Sequence, residues 1–542
     1  MLDAAAMTRC RRHLHLDNDP AMRDVTLPPP DMGVQRRTAD AAAHRAQIAR
    51  TLAAEYAAVE GWVTVPRDAA DEERVRHTLD ALYNGASYVS GALLPDDDVH
   101  GRSGAAELLV RTPDGYSPVI VVRHRITDPG DGAVTTRLPD LDPVNATTDS
   151  RRKLRSHPRD QLRLAHLYRM LQQCGVAEPA CARGGVIGLD ADVVVWYDLD
   201  AVRWPGKRST LVEYDARFAD RQAVAHAAVT GAQPLAHPSR ILECRSCPWW
   251  LVCGAELHRI EDISLVVRGD TAGDLRAAGV ATVSQLAALD PADPPPVNWS
   301  ERTYADTVAL AKAWLAGLPL VRRVHDVTPP RADVELDVDM ENFGDSGVYL
   351  WGCLLSGVDI GVPSGYHAFT TWHPLPSEDE ARSFAEFWAF LCDVRARAAA
   401  RGLSFRAYCY NALAENRWLY GSAQRFGGMP GIPGHQAVTE FVESDAWVDL
   451  FRNVSDSFLC AQGKGLKVIA PAAGFAWRDA EAGGEASMGW YEDAVAMYGG
   501  APDETQRKRL LTYNEDDVRA TYVLREWMTR RANTAVPFVS EL

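Results

Sequence analysis

The chain has 542 residues, of which 46% are hydrophobic and 24% charged, a composition typical of a globular protein with roughly two to four domains. The formal net charge of −16 excludes a basic coat over the whole surface, so a nucleic-acid site would have to be a local patch. The apolar runs are of strand length and Met1–Asp17 contains Arg9, Arg11 and Arg12, so we expect no membrane span, no signal peptide and a cytoplasmic location.

The N-terminal half predicts a mixture of helices and strands. Helices are predicted at Asp40–Glu60, Asp71–Tyr83 and Asp160–Gln173. Two strands joined by a turn at Pro113–Gly115 are predicted at Ala106–Val110 and Ser117–Arg123. The apolar stretch Gly185–Leu199 predicts either a pair of strands or one long strand.

A basic run precedes the third of these helices, reading R-R-K-L-R-S-H-P-R over Arg151–Arg159. Binding to a phosphate backbone needs only cations, so this run is a candidate nucleic-acid contact. Its candidate residues are Arg151, Arg152, Lys153 and Arg155. The alternative is a solvated basic face.

Three clustered cysteines follow, with Cys244, Cys247 and Cys253 in the pattern C-x2-C-x5-C. Three thiols need a fourth metal ligand, and Cys10 is the natural candidate. One far-upstream cysteine plus a downstream triplet resembles the iron–sulfur staple of RecB/AddB-like nucleases and their CRISPR-associated relatives. The resemblance implies a [4Fe–4S] cluster that ties together the ends of a PD-(D/E)xK nuclease domain. Zinc and unligated buried cysteines are the alternatives.

The catalytic pattern of that family is incomplete in this chain. It asks for an acid on one strand and for (Glu/Asp/Gln)-x-Lys on the next. Glu107 best matches the first position, but Val121 and Arg123 stand where the acid and the lysine should be. A valine cannot bind a metal. We therefore expect residues 1–258 to be a nucleic-acid-holding domain that has lost its chemistry, with residual cleavage at Glu107 as an alternative.

The next region predicts short helices. Glu261–Asp290 resembles a helix–hairpin–helix with Gly279 and Val280 in its turn, and such hairpins can present backbone N–H groups to phosphates. A plain pair of helices is the alternative. A further helix is predicted at Tyr304–Leu315, and we assign residues 259–329 to this hairpin-like region and its linker helix.

The stretch Val334–Asn342, V-E-L-D-V-D-M-E-N, predicts a strand because apolar residues occupy every second place. The places between them hold four carboxylates, which are Glu335, Asp337, Asp339 and Glu341. Such a face repels itself unless cations neutralise it. It is either a solvated acidic edge strand or the metal-binding strand of a nuclease with an Asp-x-Glu pair.

Two later stretches carry further acids. A strand that runs into a helix is predicted around Asn411 and Glu415, which lie one helical turn apart. Near the C-terminus, Tyr513 and Asp517 are again one turn apart on a predicted helix. Strands and helices alternate from Val334 onward, which predicts an α/β domain.

The ordered series Asp-x-Glu, Asn-x3-acid and Tyr-x3-Asp resembles the DnaQ-like exonucleases of the DEDD group, which have a ribonuclease-H-like fold, in the subgroup whose last motif is Tyr-x3-Asp. The resemblance covers roughly Val334–Met528. It places Asp339 and Glu341 in the first motif, with Asp337 as the alternative partner because D-V-D-M-E lets the register slide by two. Glu335 is then expected to be only a surface residue.

The same resemblance implies roles for the later motifs. Glu415 stands where the family usually has aspartate, Asp517 is the final carboxylate, and Tyr513 would orient the attacking water. Asp449 is a further acid that we expect to cap a helix rather than support the site. The implied cofactors are two Mg²⁺ or Mn²⁺ ions, which prefer the carboxylate oxygens that this set supplies.

The whole series resembles the bacterial RecB-like nucleases with a fused ribonuclease-H-like domain, here residues 330–542. The expected fold class is α/β multidomain, with a PD-(D/E)xK-like domain, a helical hairpin region and a ribonuclease-H-like domain. The resemblance implies a metal-dependent 3′→5′ exonuclease on DNA rather than RNA. Since Gly463–Gly465 lacks P-loop spacing, any helicase partner would be a separate protein. The alternative is a non-catalytic nucleic-acid-binding adaptor.

Overall fold

The computed structural model forms two compact units. The described residues are 1–56, 61–138, 140–189, 191–297, 299, 302–481 and 483–542. The first unit comprises Met1–Pro238 with Leu242–Ala255, and the second comprises Ser239–Ile241 with Glu256–Leu542. The helices in the described part of the chain are all too short or too polar to cross a membrane.

The first unit contains a mixed sheet with helices. Its strands are β1 (Trp62–Thr64), β2 (Tyr88–Ser90), β3 (Leu93–Asp97), β4 (Arg102–Ala105), β5 (Leu108–Arg111), β6 (Tyr116–Val121), β7 (Thr127–Pro129), β8 (Ala133–Arg137), β9 (Thr147–Asp149), β10 (Arg152–Leu154), β11 (Arg183–Ile187), β12 (Val193–Asp198), β13 (Val202–Trp204) and β14 (Arg208–Ser209). The helices up to residue 259 are α1 (Arg11–Asn18), α2 (Met32–Tyr56), α3 (Asp71–Tyr83), α4 (Pro158–Gln173), α5 (Thr210–Val229) and α6 (Trp250–Arg259). The main sheet has the order β1-β2-β5-β6-β11-β12-β8-β9.

This sheet is buried on both faces. Successive residues of β6 alternate between two apolar cores: Ile120 joins the core formed with α4 and α5, while Val119 and Val121 join the core formed with α2. Burial on both faces explains the nearly continuous apolar runs in β6 and β12. The central strands therefore belong to the interior of the unit.

The predicted elements of this unit are largely confirmed. Helix α3 has the predicted bounds, β5 and β6 are the predicted antiparallel pair, and Gly185–Leu199 contains the strand pair β11 and β12. Helix α2 begins earlier than predicted, at Met32, and the predicted end at Glu60 lies outside the described residues.

The second unit is also α/β. Its strands are β15 (Leu320–Arg322), β16 (Val334–Phe343), β17 (Gly347–Gly357), β18 (Gly365–Thr370), β19 (Phe405–Cys409), β20 (Trp447–Asp449) and β21 (Phe458–Cys460). Its helices are α7 (Gly269–Ala277), α8 (Val283–Ala287), α9 (Tyr304–Leu315), α10 (Asp379–Ala400), α11 (Ala412–Arg425), α12 (His435–Val442), α13 (Leu450–Ser457), α14 (Leu466–Ile469), α15 (Gly484–Ala494), α16 (Glu504–Arg530) and α17 (Ala532–Ala535). The principal sheet has the order β18-β17-β16-β19-β20.

Strand β16 lies at the centre of this sheet. It pairs antiparallel with β17 along its whole length and parallel with β19. Its apolar face, including Leu336 and Val338, packs into a core that also contains Phe384 and Phe387 of α10. Helix α16 lies against the same strand. The predicted strand is confirmed, but the solvated edge-strand alternative is wrong, because β16 has a neighbour on each side and is largely buried.

The helical predictions in this unit agree with the structure. Helix α9 has the predicted bounds, and β19 runs into α11 as predicted. Helices α7 and α8 flank Gly279, whose φ of +88° is readily adopted only by glycine. Thr282 and Gln285 form a capping box at the start of α8.

Candidate metal centre

The acidic face of β16 is divided into two halves, and the first half is neutralised by arginines. The fully buried guanidinium of Arg525 on α16 donates hydrogen bonds to Glu335 and, over 2.6 Å, to Asp337. Arg331 donates to both oxygens of Glu335, over 2.7 and 2.9 Å. Burial acts to raise the pKa of Glu335, but Arg331 and Arg525 outweigh it and bring that pKa to about 2. The expectation that Glu335 is a surface residue is therefore wrong.

The second half of the face lacks such compensation. Oxygen atoms of Asp339, Glu341 and Asp517 all lie within 4.8 Å of one another. Burial and the neighbouring charge of Asp517 raise the pKa of Glu341 to about 8, and burial with the same neighbour raises the pKa of Asp339 well above its ordinary value. Glu341 and Asp517 are buried, whereas Asp339 is partly accessible. The arrangement favours a bound cation, and it contains Asp339 rather than Asp337.

Asp339 is held by a chain of hydrogen bonds that the sequence analysis missed. Asn514 of α16 donates to Asp339 over 2.8 Å and accepts from the Tyr366 hydroxyl over 2.7 Å. A side chain on Gly352, the residue paired with Asp339 in the sheet, would overlap the Asn514 amide. The sequence signal that could have identified Asn514 is its position directly after Tyr513, inside the Tyr-x3-Asp motif.

Neutral donors also fix the other two carboxylates. Glu341 accepts from Ser487 over 3.0 Å and from Tyr349 over 3.3 Å, and Asp517 accepts from the Trp477 indole over 2.6 Å. Neutral donors orient a carboxylate without cancelling its charge. The three acids are thus placed precisely and remain strongly negative when ionised.

Tyr513 and Lys467 lie beside this group. The Lys467 ammonium donates to the Tyr513 hydroxyl over 3.2 Å and lies 4.7 Å from the centre of its ring. Burial and the surrounding carboxylates raise the pKa of Tyr513 far above its ordinary value, so the phenol keeps its proton. Burial raises the pKa of Asp517, although the positive charge of Lys467 acts to lower it. Sequence reasoning did not identify Lys467.

Glu415 and Asp449 lie at the start of two helices. Glu415 is in the first turn of α11 and is 4% exposed; burial, with Asp449 adding to it, raises its pKa to about 8. Its charge acts on Asp339, but it is not a member of the group of three. Asp449 accepts from the backbone N–H of Phe451 and of Asn411, each over 3.0 Å. The expectation that Asp449 caps a helix is confirmed.

The four predicted cysteine ligands lie close together in the first unit. Burial raises the pKa of the Cys253 thiol to about 11, and the charges of Cys10, Cys244 and Cys247 add to this effect. The sulfur of Cys247 lies 3.6 Å from Nδ1 of His13. Among the described residues these thiols do not form a group with all ligand atoms within 4.8 Å, unlike the three carboxylates.

The predicted remnant of a second catalytic site is occupied by protein contacts. Glu107 accepts two hydrogen bonds from Arg163, over 2.7 and 2.9 Å. Val121 is buried in an apolar core, and Arg123 forms an ion pair with Asp40 over 3.0 Å. Ion pairs and burial within the first unit therefore explain the presence of these three residues without a catalytic role.

The predicted basic run is partly paired with acids. Arg152 contacts Asp149 and Asp192, over 3.5 and 2.5 Å, and Arg155 lies 3.9 Å from Asp128. The remaining candidates are exposed and are Arg151 and Lys153. The cationic character of the run is thus reduced by neighbouring carboxylates.

Comparison with known protein families gives a match in the second unit. The RNase_H superfamily model RNase_H_2 matches residues 432–529. The matched range includes Tyr513 and Asp517 and lies within the second unit. The C-terminal part of this α/β multidomain chain therefore contains an RNase H-like domain, a nuclease-like fold. Neither the curated proteins nor the solved structures include a match to the chain.

Replacing Arg525 by methionine should destabilise the protein strongly. The change leaves the carboxylates of Glu335 and Asp337 buried without their shared guanidinium, at a cost of about 3–5 kcal/mol. Arg519→Met on the same helix removes only an exposed ion pair with Glu515 and should cost about 1 kcal/mol or less. Urea unfolding would measure both, and equal stability of the two variants would contradict the assigned role of Arg525.

The metal-free protein should lose stability as the pH rises from 6 to 8. The pKa values of Glu341 and Glu415 are raised to about 8 by burial, from ordinary values near 4.5, so the unfolded chain releases these protons first. Mg²⁺ should restore stability, most strongly at pH 8. Melting curves in EDTA and in Mg²⁺ would measure this, with Glu341→Gln expected to weaken the pH dependence and exposed Glu443→Gln not. A flat pH response of the wild type would contradict the prediction.

Proposed function

We propose that this protein is a metal-dependent nuclease whose chemistry takes place in the second unit. The observation that carries the proposal is the group formed by Asp339, Glu341 and Asp517, which lies in the unit that holds the RNase H-like domain. The reaction would be phosphodiester hydrolysis, in which water adds to phosphorus and the bond to the leaving sugar oxygen breaks.

The donor set fits Mg²⁺ or Mn²⁺. Such ions prefer carboxylate oxygens and water, and Asp339, Glu341 and Asp517 supply only carboxylate oxygens. Glu415 has a buried oxygen, Oε2, without a hydrogen-bond partner among the described residues, and is the candidate to help hold a second ion. When bound, two ions would neutralise charge on the phosphoryl oxygens and lower the pKa of water.

The neighbouring side chains would orient the carboxylates and the attacking water. Asn514 fixes the orientation of Asp339, so that one oxygen of this carboxylate is held by protein. Tyr513 keeps its proton because its pKa is raised by burial, and its hydroxyl would therefore orient the attacking water rather than remove a proton from it. Lys467 brings a positive charge next to this hydroxyl.

The finer assignment follows the order of the motifs. The series Asp339-x-Glu341, Glu415 and Tyr513-x3-Asp517 supports a DnaQ-like 3′→5′ exonuclease, with DNA favoured over RNA. Residues 330–542 would form this exonuclease domain and residues 259–329 a hairpin-like region with a linker helix.

The first unit would hold nucleic acid without cutting it. Glu107 is bound by Arg163, and Val121 cannot ligate a metal, so the proposed RecB-like domain of residues 1–258 has no complete catalytic set. Cys10, Cys244, Cys247 and Cys253 would ligate a [4Fe–4S] cluster. Zinc on the same four thiolates is the alternative.

Removal of the carboxylates tests the catalytic proposal. Asp339→Asn and Asp517→Asn should each lower Mg²⁺-dependent degradation by about 10²-fold or more, because they remove charge that would hold the ions. The assay uses 5′- and 3′-labelled DNA and RNA strands with Mg²⁺ or Mn²⁺, and shortening from the 3′ end would support the proposed polarity. Asp345→Asn, an exposed acid in the same unit, is the matched control.

Three outcomes would redirect the assignment. Unchanged degradation by both variants would eliminate the exonuclease site. Loss of activity in Glu107→Ala instead would place cleavage in the first unit. Absence of degradation by the wild type, together with retained binding, would favour the non-catalytic adaptor.

The cysteine ligands give a separate prediction. The purified protein should be brown with broad visible absorption, and Cys247→Ala should remove this absorption because thiolates hold the cluster. Cys392→Ala, which changes an exposed cysteine elsewhere in the chain, should leave the spectrum unchanged. A colourless protein with stoichiometric zinc would show that the site holds zinc.

A further inference from the structure

A cavity of about 370 Å³ in the second unit is lined by more positively than negatively charged side chains. It is bordered by the start of α9 and by the residues around β21. Its cationic lining residues are Arg302, Arg323 and Lys464, and its aromatic lining residues are Trp299 and Phe458. Such a basic cavity stands out in a chain whose formal net charge is −16.

Two of the three cations form no ion pair within the described part of the chain. Asp306 is the acid in the cavity lining, and Arg323 donates to it over 2.6 Å. In the described part of the chain, Arg302 and Lys464 form no ion pair. The cavity therefore keeps two positive charges after its internal pair is counted.

These charges repel one another. Burial lowers the pKa of Lys464, and the like charges of Arg302 and Arg323 lower it further, whereas Cys460 and Asp456 act to raise it. The N-terminus of α9, capped by Thr303, opens on the same cavity and adds a partial positive charge. A bound anion would relieve this repulsion.

The cavity is connected to the candidate metal centre through one short segment. The backbone carbonyl of Lys464 accepts a hydrogen bond from the hydroxyl of Tyr410, which lies two residues before the start of α11, the helix that carries Glu415. Three residues further on, Lys467 contacts Tyr513. Three residues span at most about 10 Å. One nucleic-acid strand can therefore reach both the cavity and the candidate metal centre.

We propose that this cavity binds a backbone phosphate of the nucleic-acid strand, on Arg302 and Lys464, outside the scissile position. Trp299 offers an aromatic surface for the adjoining base. The proposal rests on the proposed function only in taking the ligand to be a nucleic acid.

Binding without cleavage tests this assignment. Fluorescence anisotropy of the full chain with fluorescein-labelled single-stranded DNA, and in parallel RNA, is measured in EDTA over a range of salt concentrations. Arg302→Gln/Lys464→Gln should weaken binding roughly tenfold or more at 0.1 M salt, and should reduce the slope of log Kobs against log[salt] by roughly 0.7, the value for one phosphate contact on a single strand.

The controls separate charge from folding. Arg395→Gln/Arg531→Gln removes two exposed positive charges elsewhere in the unit and should leave the affinity nearly unchanged. Arg302→Lys/Lys464→Arg keeps the charges and should retain binding. If melting shows that the double glutamine variant is unfolded, Arg302→Gln alone should weaken binding and reduce the salt slope in the same direction.

The two proposals fail in different ways. Wild-type affinity and slope in the glutamine variants, with cleavage still lost in Asp339→Asn, would overturn the cavity assignment and leave the nuclease intact. Equal weakening in the Arg395/Arg531 control would also overturn it, because the effect would then be one of overall charge. A wild type that binds neither DNA nor RNA would overturn both.

Discussion

The charge carried by the buried face of β16 is the constraint on which the second unit depends. Four carboxylates at alternate positions of a central strand cannot all remain ionised without nearby positive charge. Helix α16 meets this requirement at one end, where Arg525 contacts Glu335 and Asp337. At the other end the same helix adds a further acid, Asp517, and leaves the group short of positive charge. One helix therefore stabilises the fold and creates the candidate site.

Local patterns in the sequence were sufficient for many elements of the fold. The period of two in Val334–Asn342 predicted β16, and the helix at Tyr304–Leu315 has the bounds expected from its pattern. The one-turn spacing of Tyr513 and Asp517 placed both residues next to the acids of β16. Such signals are readable because periodicity depends on residues that are close in the chain.

The parts that could not be predicted depend on residues far apart in sequence. Glu335 looked like a surface acid because its partner Arg525 lies 190 residues further along the chain. Asn514 could not be assigned to Asp339 without knowing that Gly352 leaves space for its amide. Lys467 likewise reaches Tyr513 only through the fold. The charge balance of a site is thus a tertiary property, even where the acids themselves form a motif.

The charge of the hydrogen-bond partner distinguishes the acids of the two units. Glu107 in the first unit is bound by both of its oxygens to Arg163, as Glu335 is to Arg331 in the second. An acid neutralised by a fixed guanidinium has little remaining attraction for a metal ion, and removing its partner costs stability. Asp339 is instead held by the neutral amide of Asn514, which does not cancel its negative charge when the carboxylate is ionised. Because neutral donors orient a carboxylate while arginines neutralise its charge, the identity of the hydrogen-bond partner, rather than the acid motif, distinguishes the candidate metal centre of the second unit from Glu107 of the first.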